Sequence, residues 1–294
     1  MKNKKFVWAF LLPALVCFLV AFLYPLIRTF IMSFYQVETV TDPMSEWVFD
    51  GLENYRLLFA SGVFRRSLLN VCLIWFVEGF AVLFLALIFS VIITSNIKGK
   101  SFWKAVVYLP NVISAVALAS MWLHYVFNNQ YGLLKKMGEL LHIEFLSNFQ
   151  WTAPEHLFLS MMIAVAYGAI GYYMLIMTAA IEGISKDYFE AATIDGAGII
   201  RKTIFITVPL LKDVFKRCIV LWTAGALSFF VWSKMFSFNT ELATVTPVVY
   251  MYDTVFGKTT GSSSTTFNVG VGACVGVVIM VLVLITNRIL NRLF

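Results

Sequence analysis

The sequence predicts an all-α membrane protein with six transmembrane helices, for two reasons. First, hydrophobic residues make up 60% of the 294 residues and charged residues only 13%, whereas soluble domains carry roughly 25% charge. Second, the apolar residues form six runs long enough to cross a bilayer, with polar loops between them. Because these spans and loops use up the chain, we expect one transmembrane domain over residues 1–294 and any catalytic domain on another chain.

The spans are predicted at six places along the chain. Their approximate limits are residues 6–27, 67–94, 105–125, 157–181, 218–236 and 268–287. The first run is longer than the apolar core of a signal peptide, about 7–15 residues, and no small-residue cleavage site closes it, so we expect it to be retained. Two pairs of small residues, Gly272 with Gly276 and Ala164 with Gly168, indicate faces where helices pack closely.

The basic residues predict how the spans are oriented. Most of the 22 Lys and Arg residues fall in the N-terminal segment, in the loops after spans two and four, and in the C-terminal tail. Lys and Arg accumulate on the cytoplasmic side of membrane proteins, so these loops and both termini are expected to be cytoplasmic. The net charge of +6 comes from short loops beside apolar runs, which indicates membrane topology rather than nucleic-acid binding.

The loop between spans four and five, residues 183–217, carries more Lys and Arg than any other loop. Its sequence predicts two short helices joined at a glycine. Either Ser185 or Asp187 can cap the first helix, and Asp187 with Glu190 has the spacing of a capping box. Gly196 is expected to end this helix with a positive φ, a conformation that glycine adopts without strain.

A second helix is predicted to start at about Gly198. Ile200, Ile204 and Val208 recur at the spacing i, i+4 and i+8, so they would share one face. Pro209 lacks a backbone N–H, and it is expected to break this helix.

The same loop carries a known signature. The spacing Glu190-Ala191-Ala192, three residues, Gly196, nine residues and Ile206-Thr207-Val208-Pro209 resembles the EAA motif in permease subunits of binding-protein-dependent ABC importers. It departs from that motif at Val208, where leucine is usual. FDGLENYRLLF at 49–59 and the residues Tyr108-Leu109-Pro110 and Val112-Ile113-Ser114 are similar to the sugar-importing branch of this family.

The resemblance implies a type I importer fold and a function. The chain would pair with a second, homologous permease subunit, two cytoplasmic ATPase subunits and an extracellular solute-binding protein, in a bacterial cytoplasmic membrane. ATP and Mg would bind in the ATPase subunits, and this chain would hold no cofactor. The loop at 183–217 would seat in an ATPase groove and couple ATP binding to import of a sugar or oligosaccharide. The residues assigned to this coupling are Glu190, Ala191, Ala192, Asp195, Gly196, Ile206 and Pro209.

Candidate residues for the substrate pathway are polar or aromatic residues in or near the spans, because solute sites combine apolar walls with a few polar groups. They are Tyr172, Tyr173, Glu78, Asn111, Ser114 and Trp222. Most aromatic residues at such positions simply pack between helices or lie at the membrane interface. Glu78 lies deep in span two, where it would either line the pathway or be held between helices as a structural acid.

Enzymatic chemistry and metal binding are not indicated by the sequence. His124, His142 and His156 are scattered near or outside the membrane edge, and the four cysteines fall in or beside different apolar segments. Two alternatives to sugar import remain open: a polyol or glycerol-phosphate importer of the same branch, and a self-sufficient channel or secondary carrier.

Overall fold

The computed structural model describes residues 4–95, 97–237, 242–257 and 267–293, and it is helical over most of them. The helices are α1 Lys4–Phe18, α2 Tyr24–Met32, α3 Glu53–Ala60, α4 Gly62–Leu73, α5 Gly79–Thr94, α6 Lys100–Val112, α7 Ala115–Met121, α8 Leu133–Leu141, α9 Glu144–Asn148, α10 Leu157–Glu182, α11 Lys186–Ile194, α12 Ile199–Lys202, α13 Val208–Leu210, α14 Lys212–Leu227, α15 Val231–Phe236, α16 Pro247–Phe256 and α17 Val269–Leu293. Two short strands, β1 Tyr35–Gln36 and β2 Val48–Phe49, pair antiparallel.

Four continuous helical segments of the described residues are long and apolar enough to cross a membrane. They are Phe10–Met32, Gly62–Thr94, Leu157–Glu182 and Val269–Leu290, and they correspond to predicted spans one, two, four and six. A fifth span is possible if the bent pair Lys100–Val112 and Ala115–Val126 crosses as one unit.

Predicted spans three and five do not form single continuous helices, and their crossing of the membrane stays a prediction. In span three the chain bends by 99°, because Ile113 is extended and the Ser114 hydroxyl accepts the Ala117 N–H to cap a new helix. In span five, α14 ends at Leu227. The hydroxyl of Ser228 donates to the carbonyl of Ala224, at 2.7 Å, and so satisfies part of the last turn.

Wide π-helical turns occur at four places along the spans and loops. They are Leu19–Leu23, Ile74–Glu78, Trp122–Val126 and Thr203–Thr207. Pro25 and Pro209 each lie two residues after such a turn, within the first two positions of the helix that follows. A proline ring clashes with the carbonyl four residues earlier in a regular helix, and the wider turn gives that carbonyl room to move away. The prediction that Pro209 breaks the helix is therefore wrong, since helical turns continue to Leu210.

One compact unit comprises residues 1–65 and 247–282. Within its described residues, Asn54 links α3 to the segment that follows α2. The Asn54 side chain is buried and donates to the carbonyls of Ser33, at 3.2 Å, and Tyr35, at 2.8 Å, where the chain leaves α2 for β1. Gly270 in α17 lies against the same Asn54 side chain and the Tyr35 carbonyl, and a Cβ at Gly270 would overlap both. The 49–59 stretch thus contributes a structural clamp.

In this unit, other helices pack closely against α17 at its predicted pair of small residues, Gly272 and Gly276. A Cβ on Gly272 would collide with Val255 of α16, and one on Gly276 would lie 3.5 Å from Thr29 of α2. The prediction that this pair forms a packing face is confirmed.

The second compact unit comprises residues 66–246 and 283–294, and α10 is its central helix. It packs against α5, α6, α7, α14 and α15. Ala164 is fully buried, and a Cβ on Gly168 would lie 3.1 Å from Leu118, so this predicted small pair is also a packing face. Gly171 allows the closest approach, because a Cβ there would overlap the backbone of Val107 and Tyr108 in α6.

A non-helical segment of the same unit, residues 242–246, is held by buried polar side chains. The Asn70 amide, in α4, donates to the carbonyls of Leu242, Ala243 and Val245 at 3.3, 2.9 and 2.8 Å. The hydroxyl of Ser233 donates to the carbonyl of Thr244. These bonds satisfy backbone groups that no helix pairs.

Gly171→Ala should destabilise the chain by about 1–3 kcal/mol, because the added methyl forces α6 and α10 apart. Gly225→Ala is the matched control: Gly225 lies in a helix with open space around its Cβ position, so the same change should leave stability unchanged or raise it by roughly 0.5–1 kcal/mol. Thermal unfolding of the purified full-length variants in detergent measures both. Equal melting temperatures would contradict the close α6–α10 crossing.

Candidate functional site

The loop between α10 and α14 folds into a pair of short helices on the outside of its unit. The first, α11, begins at Lys186, and the Asp187 N–H donates to the hydroxyl of Ser185 at 3.4 Å. Ser185 is thus the cap, and Asp187 lies in the first turn, where its charge complements the helix dipole. The proposed capping box of Asp187 with Glu190 is wrong, since Asp187 is inside the helix.

The C-terminal end of α11 is closed at Gly196 as predicted. Gly196 has a φ of +73°. The Gly196 N–H donates to the Thr193 carbonyl at 3.0 Å, and the Ala197 N–H donates to the Ala192 carbonyl at 2.8 Å. These two bonds form a Schellman motif, which satisfies carbonyls left unpaired at the helix end.

A side-chain bridge joins the two short helices. The Lys202 ammonium, in α12, donates to the hydroxyl of Thr193 in α11 at 2.6 Å, and that hydroxyl donates to the carbonyl of Phe189. Sequence reasoning missed this bridge, because it joins residues nine positions apart across a turn. The bridge ties α11 to α12, so the two helices are coupled by a side-chain contact as well as by Gly196.

The predicted loop residues present an open surface. Glu190, Ala191, Asp195, Gly196 and Pro209 are exposed, and Ala192 and Ile206 are half-buried. Large apolar side chains lie beside them in the loop: Tyr188, Ile194, Ile199, Ile200, Ile204 and Phe205 are all more than half exposed.

Ile194 is the most exposed of these side chains, at 88%. Exposed groups of large apolar side chains mark surfaces that bind a protein or a membrane. The motif residues are therefore part of a larger apolar patch. The signal available in the sequence was the run of isoleucines that flanks them.

The predicted pathway residues separate into two groups. Tyr173 and Trp222 are buried, with ring centroids 6.0 Å apart, and the Trp222 indole N–H donates to the carbonyl of Trp75 at 3.1 Å. They pack between helices and offer no open surface. Tyr172 is 39% exposed and stacks edge-on against Tyr173.

Asn111 and Ser114 are exposed and flank the 99° bend between α6 and α7. The Asn111 amide donates to the carbonyl of Gly168 at 3.3 Å, and the Ser114 hydroxyl caps α7. Both side chains thus have structural partners, although their residues keep open surface.

Glu78 is the last residue of the Ile74–Glu78 turn and is only 2% exposed. Neither of its carboxyl oxygens has a hydrogen-bond partner among the residues that the structure describes. This burial favours the structural alternative, an acid held between helices, and the pathway role of Glu78 stays a prediction.

A shallow pocket of about 610 Å³ lies on α14, at the C-terminal end of the loop at 183–217. Its lining is one face of that helix: Asp213, Lys216, Arg217, Val220 and Leu221. The face continues through Gly225, whose Cβ position meets open space. A pocket lined by a single helix cannot enclose a solute, so a closed site here would need groups from elsewhere.

Apolar helices of membrane-spanning length, with a basic and solvent-exposed helical loop directly after one of them, define an integral membrane protein. Residues 86–294 match the profile of the family described as binding-protein-dependent transport system inner membrane component. This match covers well over half of the chain, and the chain belongs to that family. It is therefore an inner-membrane transport permease that works with a solute-binding protein, and it is not an enzyme.

Individual relatives agree with this membership. The chain is 28% identical over 256 residues to the diacetylchitobiose uptake system permease protein NgcF of Streptomyces coelicolor, covering 83% of this chain and 72% of that protein. It is 27% identical over 296 residues to the arabinooligosaccharides transport system permease protein AraP of Bacillus subtilis, covering 99% and 89%.

A solved structure has the same fold. The chain is similar, with a TM-score of 0.77 and 21% identity, to a chain in the crystal structure of a bacterial alginate ABC transporter in complex with an alginate pentasaccharide-bound periplasmic protein. The similarity covers 99% of this chain and 96% of that one.

Gly196→Val should loosen the end of α11, because a β-branched residue at positive φ costs about 1–2 kcal/mol or more. Gly198→Val is the matched control: both glycines have open space around the Cβ position, but Gly198 has a φ of −70°. Hydrogen exchange of the Ala197 amide should become about 5- to 30-fold faster in Gly196→Val and change little in Gly198→Val. Similar exchange in both variants would show that Gly196 is not needed for its backbone conformation.

Proposed function

We propose that this permease is the sugar-translocating subunit of an ATP-driven importer. It takes up a sugar or oligosaccharide that an extracellular solute-binding protein delivers. A second homologous permease subunit completes the translocation pathway, and two cytoplasmic ATPase subunits, which bind ATP and Mg, drive it. The single observation that carries the proposal is the exposed apolar patch built around α11.

The patch supports a docking role because an exposed apolar side chain gains from being covered. Burying one large aliphatic side chain contributes about 1.5–3 kcal/mol, and Ile194, Ile200 and Phe205 are all more than 70% exposed. The small side chains of Ala191 and Ala192 let a partner backbone approach α11. Glu190 lies past the first turn of the helix, where its charge interacts weakly with the helix dipole. In the proposed complex, the Glu190 carboxylate contacts a basic or polar group on the ATPase.

Movement of α11 would reach the spans through short and stiff connections. The Lys202–Thr193 bridge ties α11 to α12, and a continuous series of helical turns leads from α12 to α13. Leu211, between α13 and α14, is 1% exposed and is part of the hydrophobic core of its unit. A push on α11 is thus transmitted to α14 at a buried residue rather than lost in a flexible linker.

The translocation pathway is expected between this chain and the second permease. The pocket on α14 is open, and Arg217 and Leu221 lie on its exposed face. A second subunit facing α14 would close this space. Within the chain, the half-exposed Tyr172 and the exposed Asn111 and Ser114 are the pathway candidates best able to touch a solute.

Two further observations support the details. The excess of Lys and Arg in residues 183–217 favours a cytoplasmic loop, and with it cytoplasmic termini. The relatives named for diacetylchitobiose and arabinooligosaccharides favour a carbohydrate as the solute.

Glu190→Gln should lower ATP-dependent transport in proteoliposomes that contain both permeases, the ATPases and the binding protein. The change removes one charge and keeps the size of the side chain, so insertion and folding should be unchanged while ATPase docking weakens by about 1.5–3 kcal/mol, the range for hydrogen bonds to charged groups. Asp187→Asn is the matched control. It removes the other acid of the same helix, which complements the dipole, and it should leave docking nearly intact.

Uptake measurements in the same vesicles distinguish an ATP-driven importer from a self-sufficient channel or carrier. Labelled oligosaccharide should accumulate only when the ATPases and the loaded binding protein are both present. Uptake by this chain alone would mean a self-sufficient carrier. Normal transport and docking by Glu190→Gln would remove the contact role of Glu190, and the permease assignment would still stand.

A further inference from the structure

The helix α8, Leu133–Leu141, has an apolar arc that is only half covered. On a helical projection of about 100° per residue, the side chains of Leu140, Leu133, Met137 and Leu141 fall within one arc of about 100°. All four are exposed, Leu140 at 79%. The opposite arc carries Lys135, Glu139 and Lys136.

The covered half of the apolar arc shows which side of α8 faces the protein. Leu134 packs against the core of its unit, and Gly138 is buried. A Cβ on Gly138 would lie 2.5 Å from the Ser147 backbone nitrogen in α9. The helix therefore has three distinct sides: a flank against the protein, an open apolar flank next to it, and a charged side.

The position of α8 places the open flank at the end of a span. The helix packs against the Trp122–Val126 turn, the last turn of the bent span, and it starts a few residues later. Tyr125 in that turn is 69% exposed, and Tyr131, just before α8, is 55% exposed. Exposed tyrosines at the end of a span are typical of the headgroup region of a bilayer.

We propose that α8 lies in the membrane interface, with Leu133, Met137, Leu140 and Leu141 inserted among the lipid acyl chains. A helix with a strongly apolar face and a charged face adopts this position, its apolar side about 5–10 Å into the headgroup boundary. The lipid surface is the occupant that the structure favours, because α8 packs against the last turn of an apolar bent pair of membrane-spanning length and exposed tyrosines, Tyr125 and Tyr131, lie on either side of that junction. Lys136, next to Leu140 on the helix circumference, can extend its ammonium towards the lipid phosphates.

Spin-label accessibility tests this position directly. The full-length protein, with the subunits that copurify with it, is placed in nanodiscs of phosphatidylethanolamine and phosphatidylglycerol. Cys17→Ala and Cys72→Ala remove the two exposed cysteines. A nitroxide is then attached in Leu140→Cys or Met137→Cys, and in the control variant Glu139→Cys on the charged side. Collision rates with oxygen, which concentrates in acyl chains, are compared with those of a water-soluble nickel chelate.

The proposal predicts opposite orders on the two sides of the helix. Labels at positions 137 and 140 should collide more often with oxygen than with the nickel chelate, at a depth of about 5–10 Å. The label at position 139 should collide more often with the nickel chelate. Nickel exceeding oxygen at both 137 and 140 would put the open flank in water. Labels shielded from both reagents and immobilised there would mean that a protein subunit covers it. Either result overturns the proposal, and if one of the two variants fails to assemble, the other gives the same reading.

Discussion

Backbone polar groups that are buried away from water need partners within the protein, and this requirement applies wherever the chain departs from regular helices. A buried carbonyl without a water molecule beside it is stable only where the protein itself supplies a donor. Two buried asparagines meet this need. Asn54 donates to the carbonyls where α2 gives way to the β-hairpin, and Asn70 donates to three carbonyls of the non-helical segment before α16.

The loop at 183–217 is organised in the opposite way. Its short helices are capped by the Ser185 hydroxyl and the Gly196 turn and are joined by the Lys202–Thr193 side-chain bridge, while its apolar side chains are exposed. A segment built like this keeps its shape without a partner and still benefits from one. That combination suits the proposed role, in which a partner protein holds the loop and the movement of the loop reaches the helices of this chain.

Much of the fold could be predicted from the sequence. Long apolar runs gave spans one, two, four and six, and the spacing around Gly196 predicted its positive φ. The bend in span three and the break after Leu227 were not predicted. At the bend, a single hydroxyl group, that of Ser114, caps the helix that follows, and one polar residue does not change the apolar pattern. The Asn70 bonds join residues more than 170 positions apart, which no local pattern encodes.

In the candidate site, the sequence predicted the grouping of the loop residues better than the surroundings of the pathway candidates. The coupling residues lie together on one exposed loop because they are close in the sequence. The pathway candidates were chosen by residue type, and residue type does not distinguish a tyrosine in the core from one beside a cavity. Tyr173 and Tyr172 are sequence neighbours, yet one is buried and the other half-exposed, because successive residues of a helix point about 100° apart.

Site-specific photo-crosslinking at Ile194, in living cells, tests the central claim most directly. A photoreactive amino acid at this position, on the most exposed apolar side chain of the loop, should form a crosslink to the nucleotide-hydrolysing subunit, and the yield should change when ATP is depleted. A residue 194 that reacts with a membrane-impermeant reagent from outside the cell, or that crosslinks no ATPase, would contradict the account.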